Sequence, residues 1–406
     1  MRVLVAAGPM AANLPATQVG EAIAAGWRDE KPATAVNHMA MSDGSRGFLE
    51  AVHAARGGDL LPLTVPDPLG AGGAAIAGVP PELPASVLHV PGEHGGTAYL
   101  SADQVIGLDA VPGAALEQVA RRGSSAGLGD LLAAAMTTGA SRLIIGMGEA
   151  ASHDAGFGMA GRLLQRLGMS DAEAPELLGG NDTLRSVDGS DITALHALRE
   201  RLKGRDIVVA AAHDRPLFGL SGSGAALAQR PGIDAALAQE LDRVLGQACD
   251  HLERHLPAAA SSLLETSHAP HAGPAVAAGR RDGSGSGGGA AVMLEALGAR
   301  VLPGPEAVAT LLALPDQLAG YDVVITTCDA LDPLTLHGSI VAAVAAAAAD
   351  HALPVVVLAQ RVQASRREMA GAGIVAAYAT GELPAQPLAQ LHHWGARLAR
   401  TWALRT

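Results

Sequence analysis

The 406-residue sequence predicts an α/β protein with two α/β domains, mostly parallel sheets around a cleft, and one domain inserted in the other. Its short apolar runs are nearly continuous, which is typical of parallel strands buried on both faces. Amphipathic helical patterns separate these runs, as in strand–helix–strand units. The chain is also longer than one ordinary core requires, so two domains are expected.

Five segments have the strand pattern, and right-handed crossovers are expected between them. In chain order they are RVLVAA (2–7), RLIIGM (142–147), DIVVAAA (206–212), DVVITT (322–327) and PVVVLA (354–359). The helical patterns between them are ATQVGEAIAAGWRDE (16–30), SRGFLEAVHAA (45–55), LGDLLAAAMTTG (128–139), GMAGRLLQRLG (158–168) and AALAQELDRVLGQACDHLERHL (235–256).

Two segments rich in glycine or proline mark the expected domain boundaries, since such residues favour loops. They are VPDPLGAGGAAIAGVPPELP (65–84) and AAGRRDGSGSGGGAA (277–291). We therefore expect residues 1–70 plus 290–406 to form one discontinuous domain and residues 71–289 to form the inserted one. Both boundary loops would face the cleft.

Composition and charge argue against several classes of function. Hydrophobic residues make up 49% and charged residues 17%, as in a folded globular protein. A formal net charge of −12 argues against nucleic acid or a membrane surface as a partner. With only three Trp, three Tyr and three Phe, platforms for stacking bases are few. All basic residues except Lys31 and Lys203 are arginine, so an anion clamp must use arginine, backbone amides or a metal.

Cysteine usage bears on the location of the protein. Cys249 and Cys328 are far apart and lack the spacing of metal ligands, so a reduced, cytoplasmic protein is the simplest interpretation. No uncharged stretch is long enough to span a bilayer, because the most apolar region, 339–360, is interrupted by Asp350.

The segment GMGEAASHDAGFGM (146–159) follows a predicted strand and leads into a predicted helix. Ser152, His153 and Asp154 would lie at the carboxyl end of that strand, where open α/β sheets bind ligands. Amides near Gly156 could hold a phosphate or carboxylate, while Asp154 holds a metal or accepts a proton. The alternative is that Ser152 or Asp154 simply caps the helix.

A second glycine-rich segment, RDGSGSGGGAA (281–291), could bind phosphate if successive amides, including those of Gly287 and Gly288, form an anion nest. It lacks the Lys-Ser/Thr ending of a P-loop and follows no clear strand. A flexible linker explains the same composition, so both interpretations stay open.

Two further segments place polar residues before a helix. SSAGLGDLL (124–132) has Asp130 in the first turn, and SDGSRGFLEAV (42–52) has Asp43 and Arg46. Helix capping is the simpler interpretation of both. Contact with a metal or an anion is the alternative for Asp43 and Arg46.

The stretch VVITTCDALDPLTLHG (323–338) runs from a strand into a polar turn. Asp329 and Asp332 would lie at the end of a parallel strand, where carboxylates bind magnesium in phosphoryl transfer. An anion could bind at the start of the following helix, near Thr335, His337 and Gly338. The alternative is a turn that caps its own helix.

In order along nearly the whole chain, these segments resemble motifs of the type I glycerate kinase family. MSDGSRGF (41–48) is similar to MADGGEGT, SSAGLGDL (124–131) to TSYGVGEL, and GMGEAASHDAGFGM to GIGGSATNDGGAGM. The most diagnostic match is VITTCDALDPLTLHGS (324–339), which is similar to VITGEGRLDGQTLHGK. Three shorter segments fit the same order: AAGPMAANL (6–14) resembles APDSFKGSL, DPLGAG (67–72) the PLG turn, and AHDRPL (212–217) DVNNPL.

The resemblance implies a kinase that phosphorylates glycerate, or a closely related small hydroxy acid, with ATP and magnesium in the interdomain cleft. A hydroxy acid and a nucleotide are the expected partners, and a homodimer is a possible assembly. The predicted catalytic residues are Asp43, His153, Asp154 and Asp332, and the predicted metal ligands are Asp154, Asp329 and Asp332. The predicted substrate or phosphate contacts are Arg46, Ser152, Gly156, Arg215, Gly287, Gly288, Thr335, His337 and Gly338.

Departures from the family motifs leave two other functions open. Family site residues are replaced at Gly8, Ala11, Arg46, His153, Cys328, Ala330 and Ser339. Phosphoryl transfer depends on fixed positive charge and metal-binding carboxylates, so these losses weaken the kinase hypothesis unless Arg46, His153 or Arg215 replace them. The alternatives are a homologue without kinase activity that binds a small anion or a partner, and an enzyme repurposed with His153 as acid or base.

Overall fold

The computed structural model describes residues 1–11, 14–69, 76, 79–169, 177, 179–187, 189–257 and 278–403. The chain divides into two compact units. Unit 1 comprises Met1–Gly57 and Gly304–Thr406, and unit 2 comprises Gly58–Pro303. Unit 2 is therefore inserted in sequence between the two segments of unit 1.

Each unit has its own strands and helices. The described strands are β1 (Arg2–Ala7), β2 (Ala35–Ala40), β3 (Asp59–Pro66), β4 (Glu82–Val90), β5 (Thr97–Ser101), β6 (Arg142–Met147), β7 (Asp206–Ala211), β8 (Arg300–Pro303), β9 (Val323–Leu331), β10 (Val355–Val362) and β11 (Ile374–Ala379). The described helices of unit 1 are Ala16–Glu30, Phe48–Arg56, Gly304–Leu311, Leu314–Leu318, Ile340–Ala349, Arg366–Gly371 and Pro387–Trp402. Those of unit 2 are Asp103–Ile106, Leu116–Arg122, Ala126–Thr137, Phe157–Arg166, Gly189–Leu202, Ser223–Leu227, Ala235–His255 and Ala290–Ala296.

Both units are built on sheets that are mostly parallel. In unit 1 the order is β11-β10-β9-β1-β2, and all neighbouring pairs are parallel. In unit 2 the order is β3-β4-β5-β6-β7-β8, in which β3–β4 and β4–β5 are antiparallel and the other pairs are parallel. These sheets and their helices confirm the predicted α/β class.

The cores follow from the apolar runs in the sequence. Five of the six residues of β1, β6 and β7 are buried in each strand, as expected for strands between two helical layers. In unit 1 the helices Ala16–Glu30 and Pro387–Trp402 approach each other at their backbones. A Cβ atom at Gly26 would lie 1.8 Å from the carbonyl oxygen of His392. Glycine is therefore required at this crossing.

The limits of unit 2 differ from the predicted boundaries because strands pair across them. Residues 59–66 belong to unit 2, since β3 pairs along its whole length with β4. Residues 300–303 also belong to unit 2, since β8 pairs with β7. Part of the predicted boundary loop 65–84 lies outside the described residues. Among the helices that the structure describes, none is long and apolar enough to cross a membrane.

Candidate functional site

A small cavity lies in unit 2 at the carboxyl ends of β6 and β7. Glu149 and His153 line it from the loop after β6, and Arg215 lines it from the loop after β7. Arg230 completes the charged lining just after the helix Ser223–Leu227. The cavity has a volume of about 20 Å³, which is room for about one water molecule. Because open α/β sheets bind ligands at the carboxyl ends of their strands, this cavity is the candidate site of unit 2.

The carboxylate of Glu149 bridges two arginines at this cavity. Arg215 Nη1 donates to Glu149 Oε1, and Arg230 Nη2 donates to Glu149 Oε2. Burial acts to raise the pKa of Glu149, but the hydrogen bonds and charges of Arg215 and Arg230 outweigh it and lower that pKa. Glu149 therefore stays ionised at neutral pH, and the two guanidinium groups exceed the one carboxylate by one positive charge.

His153 is a buried histidine whose side chain faces this charged lining. It is 3% exposed, and neither ring nitrogen has a hydrogen-bond partner among the described residues. Burial lowers the pKa of His153 to about 4, although the charge of Glu149 opposes the change. The ring is therefore neutral at neutral pH, with one nitrogen as donor and the other as acceptor. The hydroxyl of neighbouring Ser152 is also buried without a partner in the described part of the chain.

Asp154 was predicted to hold a metal or accept a proton, but both of its carboxylate oxygens accept hydrogen bonds from the protein. Its Oδ2 accepts from the amide and the hydroxyl of Ser125 (2.7 and 2.9 Å) and from the amide of Gly158 (3.1 Å). Its Oδ1 accepts from the amide of Gly156 at 3.0 Å. Burial raises the pKa of Asp154, and these hydrogen bonds oppose the change. Both oxygens, and the Gly156 amide predicted for an anion, are thus used within the protein.

The glycine loop that precedes the helix Ala290–Ala296 packs against the loop after β6 through its backbone. The amide of Gly287 donates to the carbonyl of Gly148 at 2.9 Å, and the amide of Ala155 donates to the carbonyl of Gly288 at 3.1 Å. Gly288 has a φ of 62°, and a Cβ there would lie 1.8 Å from the carbonyl oxygen of Ser152. The Gly287 amide is therefore not free to form the anion nest considered above.

In unit 1 a second group of predicted residues gathers at the carboxyl edge of the sheet. Asp329 Oδ1 accepts from the amide of Ala11 at 2.7 Å and from the side-chain amide of Gln360. Arg46 Nη2 donates to the carbonyl of Ala11 at 3.2 Å. Asp43 Oδ1 accepts from the amide of Ser45 at 2.9 Å. Because β9, β1 and β2 are neighbours, the residues that follow them meet at one edge.

The segment from Asp329 onward differs from the predicted strand and turn. The sequence predicts that the strand ends at residue 327, but β9 continues to Leu331 because it stays paired with β10 as far as Val362. Asp329 therefore lies within the strand rather than in the turn. The following turn is closed by Asp332, whose Oδ1 accepts from the amide (2.8 Å) and the hydroxyl (2.9 Å) of Thr335.

The end of this turn leads directly into the helix Ile340–Ala349. Hydrogen bonds from the backbone of Thr335 lower the pKa of Asp332, so it is a carboxylate at neutral pH. Ser339 caps the helix by accepting from the amide of Ala342 at 3.2 Å. His337 and Gly338 are exposed.

The three predicted magnesium ligands are not equally suited to bind a metal ion. Asp154 lies in unit 2 and uses both oxygens in hydrogen bonds, so it does not fit a metal ligand. Asp329 and Asp332 lie in unit 1, and the hydrogen bonds described for them end on Oδ1. Magnesium in phosphoryl-transfer sites needs only one or two carboxylates in addition to phosphate oxygens. The described residues contain no group of three or more side chains arranged to hold a metal.

Sequence reasoning missed two charged residues of the cavity, Glu149 and Arg230. Glu149 lies two residues after the end of β6 and could have been found from its place at the carboxyl end of a strand. Arg230 is brought in by the loop after Ser223–Leu227, and no local pattern signals that position. His213, which also lines the cavity, follows β7 in the same way.

Comparison with known proteins identifies the family. The model described as the glycerate kinase family matches residues 3–403. An uncharacterized protein of Mycobacterium tuberculosis is 31% identical over 382 residues, which cover 94% of this chain and 84% of that protein. The protein named Glycerate 2-kinase of Escherichia coli is 28% identical over 358 residues, which cover 88% of this chain and 84% of that relative.

The fold comparison agrees. A solved structure of a Salmonella typhimurium LT2 protein, whose name includes glycerate kinase 2, has a TM-score of 0.72 and 24% identity, and the match covers 99% of this chain and 98% of that chain. At that identity the likeness supports the fold. The chain belongs to the glycerate kinase family, and the prediction from its motifs is confirmed.

Proposed function

We propose that this chain transfers a phosphoryl group from ATP to glycerate or to a closely related small hydroxy acid. The observation that carries the proposal is the family match over residues 3–403. The name Glycerate 2-kinase of the Escherichia coli relative points to the same reaction. Family membership alone does not fix chemistry, since function depends on the residues of the site.

The charged groups described above support this reaction in two ways. Arg215 in unit 2 and Arg46 in unit 1 are the arginines we assign to the anions of the substrates. Phosphoryl transfer is catalysed chiefly by positioning and by stabilising negative charge, for which arginine is suited. A histidine whose pKa is about 4 is a weak base at neutral pH, so we assign His153 a hydrogen-bonding role rather than proton transfer.

Magnesium and ATP belong to the proposal. The chemistry that a bound magnesium ion would supply is partial neutralisation of the phosphate charge during transfer. Asp329 and Asp332 are the residues of unit 1 that would hold it, and Asp43 lies at the same edge of the sheet. The hydroxyl of Thr335 would keep the Asp332 carboxylate in place. A cytoplasmic location and a homodimer stay predictions.

A homologue without kinase activity is the second candidate, and one observation favours it. Cys328 and Ala330 stand where the family motif has glutamate and arginine. Burial, with the charges of Asp329 and Asp332, raises the pKa of the Cys328 thiol to about 12, so the thiol supplies no charge in place of the lost glutamate. Such a homologue would bind an anion without turnover.

An assay of ADP formation separates these candidates. Purified protein is incubated with ATP, magnesium and a panel of glycerate, lactate, glycolate and tartrate, and ATP binding is measured in parallel by calorimetry. We expect ADP to form with glycerate or a near analogue. If no acid supports turnover and ATP does not bind, the kinase proposal fails. ATP binding without turnover would favour the second candidate.

Asp329→Asn tests the proposed metal ligand. The amide oxygen can still accept from Ala11, so the variant removes charge with little change in structure. Loss of one charged participant should lower kcat by about a hundredfold or more. Asp350→Asn, at an exposed helix end of the same unit, is the matched control and should retain full activity. Equal activity in both variants would remove Asp329 from the site.

A further inference from the structure

Unit 2 has a larger groove away from the carboxyl ends of its strands. Residues of β3 and of three helices line it, together with Arg205, which directly precedes β7. The groove therefore lies toward the amino ends of the strands, whereas the cavity that contains His153 and Arg215 lies at their carboxyl ends. Its volume of about 490 Å³ falls within the range of about 300–1,000 Å³ for ligand pockets.

Three arginines line this groove in a protein whose formal net charge is −12. Arg166 and Arg201 lie in the last turns of two helices, and Arg205 lies just before β7. A cation at a helix end is favourable by itself, but this does not explain why both meet Arg205 in one groove. Among the described residues of the lining, Asp130 is the one acidic side chain, so the lining has an excess of two positive charges. This excess matches a dianion.

A buried carboxylate holds one of these arginines in place. The side chain of Asp130 is 3% exposed, and its Oδ1 accepts from Arg166 Nε at 2.5 Å. The N–H groups on Nη1 and Nη2 of Arg166 have no acceptor among the described residues, and the side chain is 55% exposed. These groups are therefore available to a ligand, and a guanidinium that is already fixed loses less side-chain entropy on binding.

The other two arginines also have donors available. Arg205 donates from Nη1 to the carbonyl of Ala140 at 2.9 Å, which fixes one end of its guanidinium. Arg201 is exposed and makes no hydrogen bond or ion pair with the described residues. Two held guanidinium groups and one unpaired one thus face the same space. Several guanidinium groups around one space suit a phosphoryl group, whose oxygens accept paired hydrogen bonds from arginine.

Apolar side chains contribute to the same lining. They pack on the core of unit 2 and are Leu63, Ala133, Ala134, Met136 and Leu167. A bare phosphate ion would leave this apolar surface in water, whereas an organic group attached to the phosphate would cover it. Covering apolar surface is favourable by about 25 cal/mol per Å². The groove therefore fits a ligand with an anionic end and an apolar body.

We propose that this groove binds an organic phosphate monoester. Its phosphoryl group contacts Arg166, Arg201 and Arg205, and its uncharged apolar or aromatic body covers Ala134 and Met136. A phosphate monoester carries close to two negative charges at neutral pH, which balances the excess positive charge of the lining. Binding here needs neither a metal ion nor kinase activity, because the groove and the cavity of unit 2 lie at opposite ends of the strands.

Calorimetry without ATP or magnesium tests the proposal at about pH 7.5, with phenyl phosphate, inorganic phosphate and benzenesulfonate as probes. We expect phenyl phosphate to bind about fivefold more tightly than inorganic phosphate, because the ring covers the apolar part of the groove. Benzenesulfonate has the same ring but a single negative charge. It should bind about tenfold more weakly than phenyl phosphate.

Four variants locate the binding site. Arg166→Gln and Arg201→Gln should each weaken phenyl phosphate binding about tenfold. Ala134→Glu should weaken it as much without removing an arginine, because the new carboxylate repels the phosphoryl group. Arg215→Gln, at the other end of the strands, is the matched control and should bind phenyl phosphate as the parent does. Thermal unfolding identifies any variant that fails to fold, and Arg201, which is exposed and unpaired among the described residues, gives the variant that leaves the core intact.

Several results would overturn the inference. They are no binding of phenyl phosphate, equal binding of phenyl phosphate and benzenesulfonate, inorganic phosphate binding as tightly as phenyl phosphate, and unchanged binding in both Arg166→Gln and Arg201→Gln. A greater loss of binding in Arg215→Gln than in Arg201→Gln would place the ligand at the carboxyl ends of the strands and would also overturn it. None of these measurements involves ADP formation, so this inference and the kinase proposal can fail separately.

Discussion

Asp154 Oδ2 accepts hydrogen bonds from both the amide and the hydroxyl of Ser125, residues 29 positions apart. The same hydroxyl accepts from the amide of Met159 at 2.9 Å. Ser125 and Asp154 thus join the starts of the helices Ala126–Thr137 and Phe157–Arg166. The pair is buried, so its hydrogen bonds act where water cannot replace them.

Asp154→Asn should therefore destabilise unit 2. The amide cannot accept on both sides as the carboxylate does, so at least one buried donor loses its acceptor. We expect the free energy of unfolding, measured in urea, to fall by about 2–4 kcal/mol. Asp250→Asn, on an exposed position of the helix Ala235–His255, should change it by less than about 0.5 kcal/mol. If the two variants were equally stable, the hydrogen bonds of Asp154 would not stabilise the two helix starts that they join.

Gly288→Ala should lower the free energy of unfolding by more than the addition of one methyl group usually does. The added methyl group would meet the carbonyl oxygen of Ser152 at 1.8 Å, in a backbone region that L-residues rarely adopt. We expect a loss of more than about 3 kcal/mol in the free energy of unfolding. Gly204→Ala separates strain from collision, because Gly204 also has a positive φ but nothing lies near its Cβ position. That control should lose about 1 kcal/mol.

Stability should depend on pH through His153. Its folded-state pKa of about 4 lies below the ordinary value of 6.5, so the unfolded chain takes up the proton first as the pH falls. The contribution of His153 to the free energy of unfolding is fully present above about pH 6.5. Between about pH 6.5 and 4 the free energy of unfolding falls by about 3 kcal/mol. As the pH falls across this range, the free energy of unfolding of the parent, measured in urea, should decrease by about 3 kcal/mol more than that of His153→Asn. An equal decrease in the two proteins would contradict the burial of a neutral ring.

Both thiols should resist alkylation in the folded protein. Burial raises the pKa of Cys249 and of Cys328 to about 12, and nearby acidic side chains add to the effect. At pH 8 the reactive thiolate is then about a thousandfold rarer than for a thiol with the usual pKa. Iodoacetamide followed by mass spectrometry should label neither cysteine in native buffer and both in urea. Rapid native labelling of Cys328 would show that its environment is more open than this.

The sequence predicted five of the seven inner strands that the structure describes and none of the four outer ones; the inner strands β4 and β5 were missed. β1 and β6 were predicted at their observed limits, and β7, β9 and β10 to within a few residues. All lie inside their sheets, where both faces are buried and the residues form apolar runs. β2 and β11 were missed because edge strands have one open side and mixed exposure. The edge strand β3 was missed as well, because its leucines are exposed and do not form a buried apolar run.

The candidate site was predictable only in part, for a related reason. Residues next to an apolar run, such as His153 and Asp329, can be placed at the end of a strand from sequence alone. Their partners cannot, because Arg230 and Gln360 arrive from distant segments through the tertiary fold. The fate of Asp154 was equally hidden, since its four donors come from two helix starts that only the fold brings together.

The strand order of unit 2 has a practical consequence for engineering. The chain enters at β3 and leaves at β8, which are the two outer strands of the six-stranded sheet. Five strand spacings of about 4.8 Å, roughly 24 Å, separate them across the sheet, and because β3 and β8 run in the same direction the two ends are also offset along the strands. A circular permutant that rejoins these ends needs a linker of at least about seven extended residues, and shorter linkers would pull an outer strand off the sheet.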